Sequence, residues 1–156
     1  HQMLHQFFKD LNHFYLDTPS LWEIDFSWEG FSWISNDDYT QSVIAFRRID
    51  KAGNEVIIVC NFLQVERDSY SIGVPFEGIY SEIFSSDNTI YGGAGITNGS
   101  DIHSVKKPMH GCEQSIDLTL PPMSVIFLKC RRKTQKTVKP EVPALEIMKK
   151  SAKNIK

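Results

Sequence analysis

The sequence predicts an all-β fold, an antiparallel sandwich of about eight short strands preceded by one amphipathic helix. Three observations carry this. Residues 42–62 read as two β-branched arms around a tight reversal. Alternating segments follow at residues 69–74, 78–84, 115–120 and 124–130, with clusters of Gly, Pro, Ser and Asp between them. Within the body of the chain, helical periodicity is confined to the first sixteen residues.

The hairpin comes first because the rest must pack on it. Val43 to Phe46 begin one arm, and Val56 to Cys60 form most of the other. The second arm is almost continuously apolar, which suits a strand covered on both faces. Between the arms, Gly53 in Asp50-Lys51-Ala52-Gly53-Asn54 supplies a residue that takes positive φ without steric cost. A lone hairpin is marginal in water, so further strands are required.

Ahead of the hairpin, Leu4, Phe7, Phe8, Leu11, Phe14 and Tyr15 recur at helical spacing as one apolar stripe that needs a neighbour to cover it. His1 and His5 stand four apart but have no acidic or cysteine partner nearby, so they read as polar residues on a helix face. Thr18-Pro19 resembles a second, short helix start. Trp22, Phe26, Trp28, Phe31 and Trp33 then crowd together with Asp25, Glu29 and Gly30. Such rings either stack sugars, with Trp22, Trp28, Trp33 and the later Tyr91 as the candidates, or plug the helix against the sheet. Burial is the commoner fate of large aromatics.

Beyond the hairpin, Tyr70, Ile72 and Val74 alternate with small residues, and Pro75 ends that strand. Residues 91–99 are glycine-rich and read as a mobile surface loop. They are not a dinucleotide fingerprint, because Asn98 stands where the last glycine of G-x-G-x-x-G belongs and no helix follows. Ile102 to Val105 is a candidate edge strand guarded by Lys106, Lys107 and Pro108. Pro121-Pro122 turns the chain into the last strand, and Arg131-Arg132-Lys133 marks the end of the fold. Residues 134–143 read as a Pro-interrupted linker, and residues 144–155 as a short helix.

Charge is distributed unevenly behind a net value of −2. Residues 131–156 carry nine Lys/Arg against two Asp/Glu, and the preceding 130 carry eight against seventeen. An acidic body argues against a nucleic-acid platform. The three cysteines, Cys60, Cys112 and Cys130, form no C-x-x-C pair and read as free thiols of a reducing, cytoplasmic compartment. No apolar run is long enough to span a membrane, and no signal peptide is recognisable. The chain starts at His1, in what reads as mid-helix, which suggests a piece of something larger.

Several stretches resemble one family. Asp10-Leu11-Asn12, Leu21 to Phe26, Gly30 to Ile34, Ser42 to Arg48 and Asn61-Phe62 are similar to the end of the bacterial 1,4-α-glucan (glycogen) branching enzymes of the α-amylase clan. So are Tyr70, Ile72-Gly73-Val74, Tyr91-Gly92-Gly93, His110-Gly111 and Ser115 to Pro122. The resemblance covers about residues 1–130 in order, and the tail after Arg132 departs from it.

The resemblance implies a Greek-key β-sandwich of the α-amylase-type C-terminal kind over residues 40–130. Residues 1–39 would be the end of a catalytic barrel, its last helix plus an aromatic connector, and residues 131–156 a basic linker with a short helix. The parent would be a transferase that moves α-1,4 glucan segments to form α-1,6 branches, through a nucleophile and an acid/base carboxylate lying upstream. No carboxylate here stands in a matching catalytic motif, so this chain is expected to be inactive alone and to need no metal or other cofactor. Its expected partners are the barrel and, through the parent, glycogen. The competing expectation is a glucan-binding module acting through exposed aromatics. Left without a barrel, the helix stripe is expected to drive self-association.

Overall fold

The computed structural model describes residues 1–133. One helix, α1 (Gln2–Asp17), precedes eight strands. These are β1 (Phe31–Asp38), β2 (Val43–Ile49), β3 (Glu55–Asn61), β4 (Arg67–Val74), β5 (Gly78–Ser85), β6 (Ile102–His103), β7 (Gln114–Leu120) and β8 (Ser124–Arg132). Every strand pair is antiparallel, in a six-stranded sheet of order β1-β2-β3-β8-β5-β6 and a two-stranded sheet β4-β7. The expected sandwich is therefore present. Its chain crosses between sheets after β3, β4, β6 and β7, and β8 enters between β3 and β5.

The core lies between the sheets. Val43 and Ala45 of β2, Ile57 and Val59 of β3, and Ile126 and Leu128 of β8 meet Tyr70, Ile72, Val74, Ile116, Leu118 and Leu120 from the smaller sheet. Period-2 alternation aims these residues inward. β3 departs from alternation in the expected way: Val56 and Ile58, on its other face, are buried as well. Asp50 and Asn54 close the β2–β3 reversal through Asp50 N–H to the Asn54 carbonyl (2.9 Å) and Asn54 N–H to Asp50 Oδ1 (2.8 Å), with Gly53 at φ 78°.

The outer face of the large sheet carries α1. Phe14 stacks on Phe84 and meets Phe127 edge-on at 5.0 Å, while Phe7 meets Tyr91 edge-on at 5.2 Å. Only part of the predicted stripe is used in this way. Phe7, Leu11 and Phe14 are half-buried, whereas Leu4, Phe8 and Tyr15 are exposed, with Met3 and Leu16 beside them. Six apolar residues span too wide an arc of the helix for one sheet to cover.

Three expectations change. The aromatic connector expected to reach residue 39 ends earlier, since Phe31–Asp38 pairs with β2 as an edge strand. The second helix start is only a 3-10 turn, Pro19–Leu21, where Ser20 is buried and donates to the Asn54 carbonyl (3.1 Å). The glycine-rich loop is tied down: Asp87 accepts from the Ala94 and Ile96 N–H groups (3.1 and 2.9 Å), and Asn98 bridges Glu82 and the Thr119 backbone. A Cβ at Gly93 would lie 2.1 Å from the Asp87 carbonyl oxygen, so glycine is required there by close approach. The linker and helix expected over residues 134–155 lie outside the described residues.

Candidate functional site

Two features of one side of the molecule stand out, and both are built by the first 50 residues together with the outer face of the large sheet. Nine of the seventeen large apolar side chains that are exposed among the described residues fall between Met3 and Trp33. Surface apolar groups concentrated in this way mark a contact region rather than ordinary scatter.

The first feature is a groove of about 640 Å³ between α1 and the sheet. Register explains its lining: Phe46 pairs with Ile58 across β2–β3, Ile58 with Phe127 across β3–β8, and Cys60 with Val125. These side chains share the outer face, and Leu11, Tyr15 and Leu21 form the opposite wall. The burial of Cys60 raises its thiol pKa, which leaves the thiol uncharged at neutral pH and compatible with apolar surroundings.

The second feature is the connector at the end of the groove. Arg48 reaches from β2 and donates from Nε to the Gly30 carbonyl (3.0 Å) and from Nη2 to the Ile24 carbonyl (3.3 Å) and Asp25 Oδ1 (2.8 Å). Gly30 lies against Ile24 so closely that a Cβ would sit 1.9 Å from the Ile24 oxygen. Residues 25–29 therefore close into a loop pinned at both ends. Glu23 fastens the preceding residues by accepting from the Lys51 N–H (2.9 Å).

The predicted sugar-contact residues do not form one platform. Trp28 stands at the loop tip, 94% exposed, with Phe26 fully exposed beside it. A plug between helix and sheet is thereby excluded for these two rings. Trp22 is 41% exposed and donates its indole N–H to the Leu16 carbonyl (3.3 Å), so it caps the end of α1. Trp33 is half exposed on β1, edge-on to Phe31 at 5.0 Å, and covers one side of Phe46.

Tyr91 belongs to helix docking instead. Its ring lies near-parallel to Phe84, and its hydroxyl donates to Asp10 Oδ2 (3.1 Å). Burial, with the Asp10 bond adding to it, raises the Tyr91 pKa, while Gln6 and Tyr91 donating to the Asp10 carboxylate lower its own. Phe26 is the exposed ring that sequence reasoning does not single out as a candidate. Nothing local marks it, because its exposure is set by Arg48, eighteen residues beyond Gly30.

Among the described residues, no group of three or more His, Cys, Asp or Glu side chains is placed to hold a metal ion. No helix there is long and apolar enough to cross a membrane.

Comparison with known proteins agrees with this architecture. The chain is 43% identical over 128 residues to the 1,4-alpha-glucan branching enzyme GlgB of Aromatoleum aromaticum, covering 82% of this chain and 20% of that protein. It is 45% identical over 130 residues to the Aquifex aeolicus enzyme of the same name, covering 83% and 21%. The Thermosynechococcus vestitus counterpart is 43% identical over 139 residues, covering 88% and 18%. The chain thus spans about a fifth of the length of these relatives. Residues 33–131, from within β1 to within β8, match the family described as alpha amylase, C-terminal all-beta domain. With that match over more than half of its length, the chain belongs to the alpha-amylase C-terminal all-beta domain family.

Proposed function

We propose that this chain is the C-terminal structural domain of a cytoplasmic 1,4-α-glucan branching enzyme of glycogen biosynthesis, and that it docks on and stabilises the catalytic barrel of that enzyme. The named relatives and the family match support the parent. The observation that carries the docking role is the uncovered face of α1 beside the 640 Å³ groove. Leu4, Phe8 and Tyr15 lie on the flank of α1 turned away from Phe84, and Tyr15 continues that flank into the groove. Each large side chain left in water forfeits about 1.5–3 kcal/mol of burial. A partner that covers this face regains that energy. Three free thiols fit a reducing setting.

The branching chemistry belongs to the rest of the parent in this reading, because the apolar surface described here offers no pair of carboxylates to serve as nucleophile and acid/base. The test is a Leu4→Glu, Phe8→Glu double variant in the full-length enzyme. The expected result is a lower melting temperature and reduced branching of amylose by iodine staining. A variant enzyme that melts and branches like the wild type refutes the docking role. The chain by itself is expected to leave the blue amylose–iodine complex intact.

A further inference from the structure

We infer that the chain's own C-terminal segment, residues 144–155, docks as an amphipathic helix in the groove between α1 and the large sheet and covers it from within the same chain. The groove is walled by Leu11, Tyr15 and Leu21 and floored by Phe46, Ile58 and Phe127. Its floor continues along β3 to Cys60, which pairs with Val125. In the segment, Leu145, Met148, Ala152 and Ile155 recur at spacings of three, four and three. That is one stripe of an α-helix about 18 Å long. A helix this short is marginal in water and needs an apolar surface to hold it. Groove and segment therefore each lack what the other supplies, and helix-in-groove docking satisfies both.

Reach and charge favour this occupant over a separate partner. β8 leaves the sheet beside the β2–β3 reversal, where Arg132 Nη2 donates to the Gly53 carbonyl (2.8 Å) and the Lys133 N–H to the Glu77 carbonyl (3.0 Å). Leu21 stands at the same end of the sheet, since the neighbouring Ser20 donates to the Asn54 carbonyl (3.1 Å). Phe127 precedes Lys133 by six residues, roughly 20 Å back along the strand. The ten residues 134–143 can span up to about 33 Å, enough to return the chain to the groove. Residues 134–156 carry six Lys against two Glu, whereas residues 1–30, which build the helix wall and the connector, carry one Lys against five Asp/Glu. A tethered segment meets the groove at an effective concentration on the order of millimolar, so a second copy displaces it only when the chain is concentrated. Leu4 and Phe8 do not line the groove, so the flank assigned to the barrel stays free and the cover does not depend on the identity of the parent.

Cys60 on the groove floor reports the cover, through alkylation of the 156-residue chain with N-ethylmaleimide and peptide mass mapping. Leu145→Glu, Met148→Glu should speed alkylation of Cys60 by about tenfold, because two apolar anchors of the segment are lost. Cys112 and Cys130, which do not line the groove, should keep their wild-type rates. In a second arm, Met148→Cys oxidised with diamide in dilute solution should join the segment to Cys60 within one chain. Equal Cys60 rates in wild type and variant, equal acceleration at all three thiols, or a link that joins two chains overturns the proposal. Protection of Cys60 that disappears on dilution makes a second copy the cover and refutes it. Protection seen only in the full-length parent, in wild type and variant alike, makes the barrel the cover and refutes it too. The Leu4→Glu, Phe8→Glu variant, which tests barrel docking, should keep Cys60 protected, so the cover and the docking role can fail separately.

Discussion

Phe14 of α1 stacks on Phe84 of β5 with ring centroids 4.9 Å apart and an interplanar angle of 23°. This contact, with Phe127 edge-on to both rings, fixes the helix on the sheet. No α1 residue is fully buried, so the helix hangs on a few aromatic contacts. Phe84→Ala should therefore loosen α1 without unfolding the sandwich. A half-buried ring should cost less than the ~3–5 kcal/mol of a fully buried Phe→Ala change. Amide exchange in α1 should rise by more than that in β3. Equal increases in both would show that helix and sandwich unfold as one unit.

Ile58→Asp should prevent folding. Ile58 lies on β3 between Phe46 and Phe127, almost fully buried, and supports the floor of the groove. A carboxylate there loses its hydration and gains no partner. That costs several kcal/mol, against a total stability of about 5–15 kcal/mol. A soluble variant with a cooperative, near-wild-type melt would overturn this.

β3 is the easiest element to read from sequence, because Val56 to Val59 are apolar on both faces and are in fact buried on both. β1 is the hardest. Phe31–Asp38 mixes aromatics with Ser, Asn and Asp, as an edge strand with one open side must. The same limit applies to the candidate site. A run of Trp and Phe shows that large rings gather near residue 30, but which of them reach solvent depends on Arg48, Glu23 and the Asn54 carbonyl, all of which act from or upon the hairpin. The glycine-rich loop misleads for a related reason. Glycine signals freedom in the chain, yet here Gly93 serves a close approach to Asp87, and the loop is held by carboxylate bonds that composition does not reveal.

Glu55 gives the fold a pH dependence of unusual sign for a carboxylate. It is buried, paired with Arg47 at 3.1 Å, and among the described residues its Oε1 has no hydrogen-bond partner. Burial outweighs the attraction of Arg47 and raises its pKa above the ordinary 4.5. The native state then holds the proton more tightly than the unfolded state does. Between 4.5 and the raised value, stability falls as pH rises. Asp38 works the other way, because the Tyr70 hydroxyl at 2.6 Å lowers its pKa; its contribution is lost as pH falls through that lowered value. Urea melts of the wild type and Glu55→Gln at pH 4 and pH 7 separate the two, since a tenfold difference in proton affinity between native and unfolded states is worth about 1.4 kcal/mol. Glu55→Gln should gain on the wild type at pH 7 relative to pH 4. A wild-type advantage that grows with pH would mean that Arg47 overcompensates burial.

Self-association of the isolated chain should run through the outer flank of α1. The fold itself absorbs Phe7, Leu11 and Phe14, so those positions are the wrong ones to test; charges there would detach the helix. Leu4, Phe8 and Tyr15 remain in water, and Leu11 and Tyr15 wall the adjacent groove. One patch that combines a protruding apolar flank with an apolar groove is self-complementary, which is what a two-fold dimer needs. Sedimentation of the wild type should show mass increasing with concentration. Leu4→Glu, Phe8→Glu should remain monomeric and should melt like the wild type only at dilutions where the wild type is itself monomeric, because neither side chain is buried within one chain. Carboxylates on that flank repel their symmetry mates as well as removing apolar area, so the effect should weaken at high salt. A wild type that stays monomeric at high concentration would show that three packed residues already satisfy the helix, and that the exposed flank is too small to pair without the barrel.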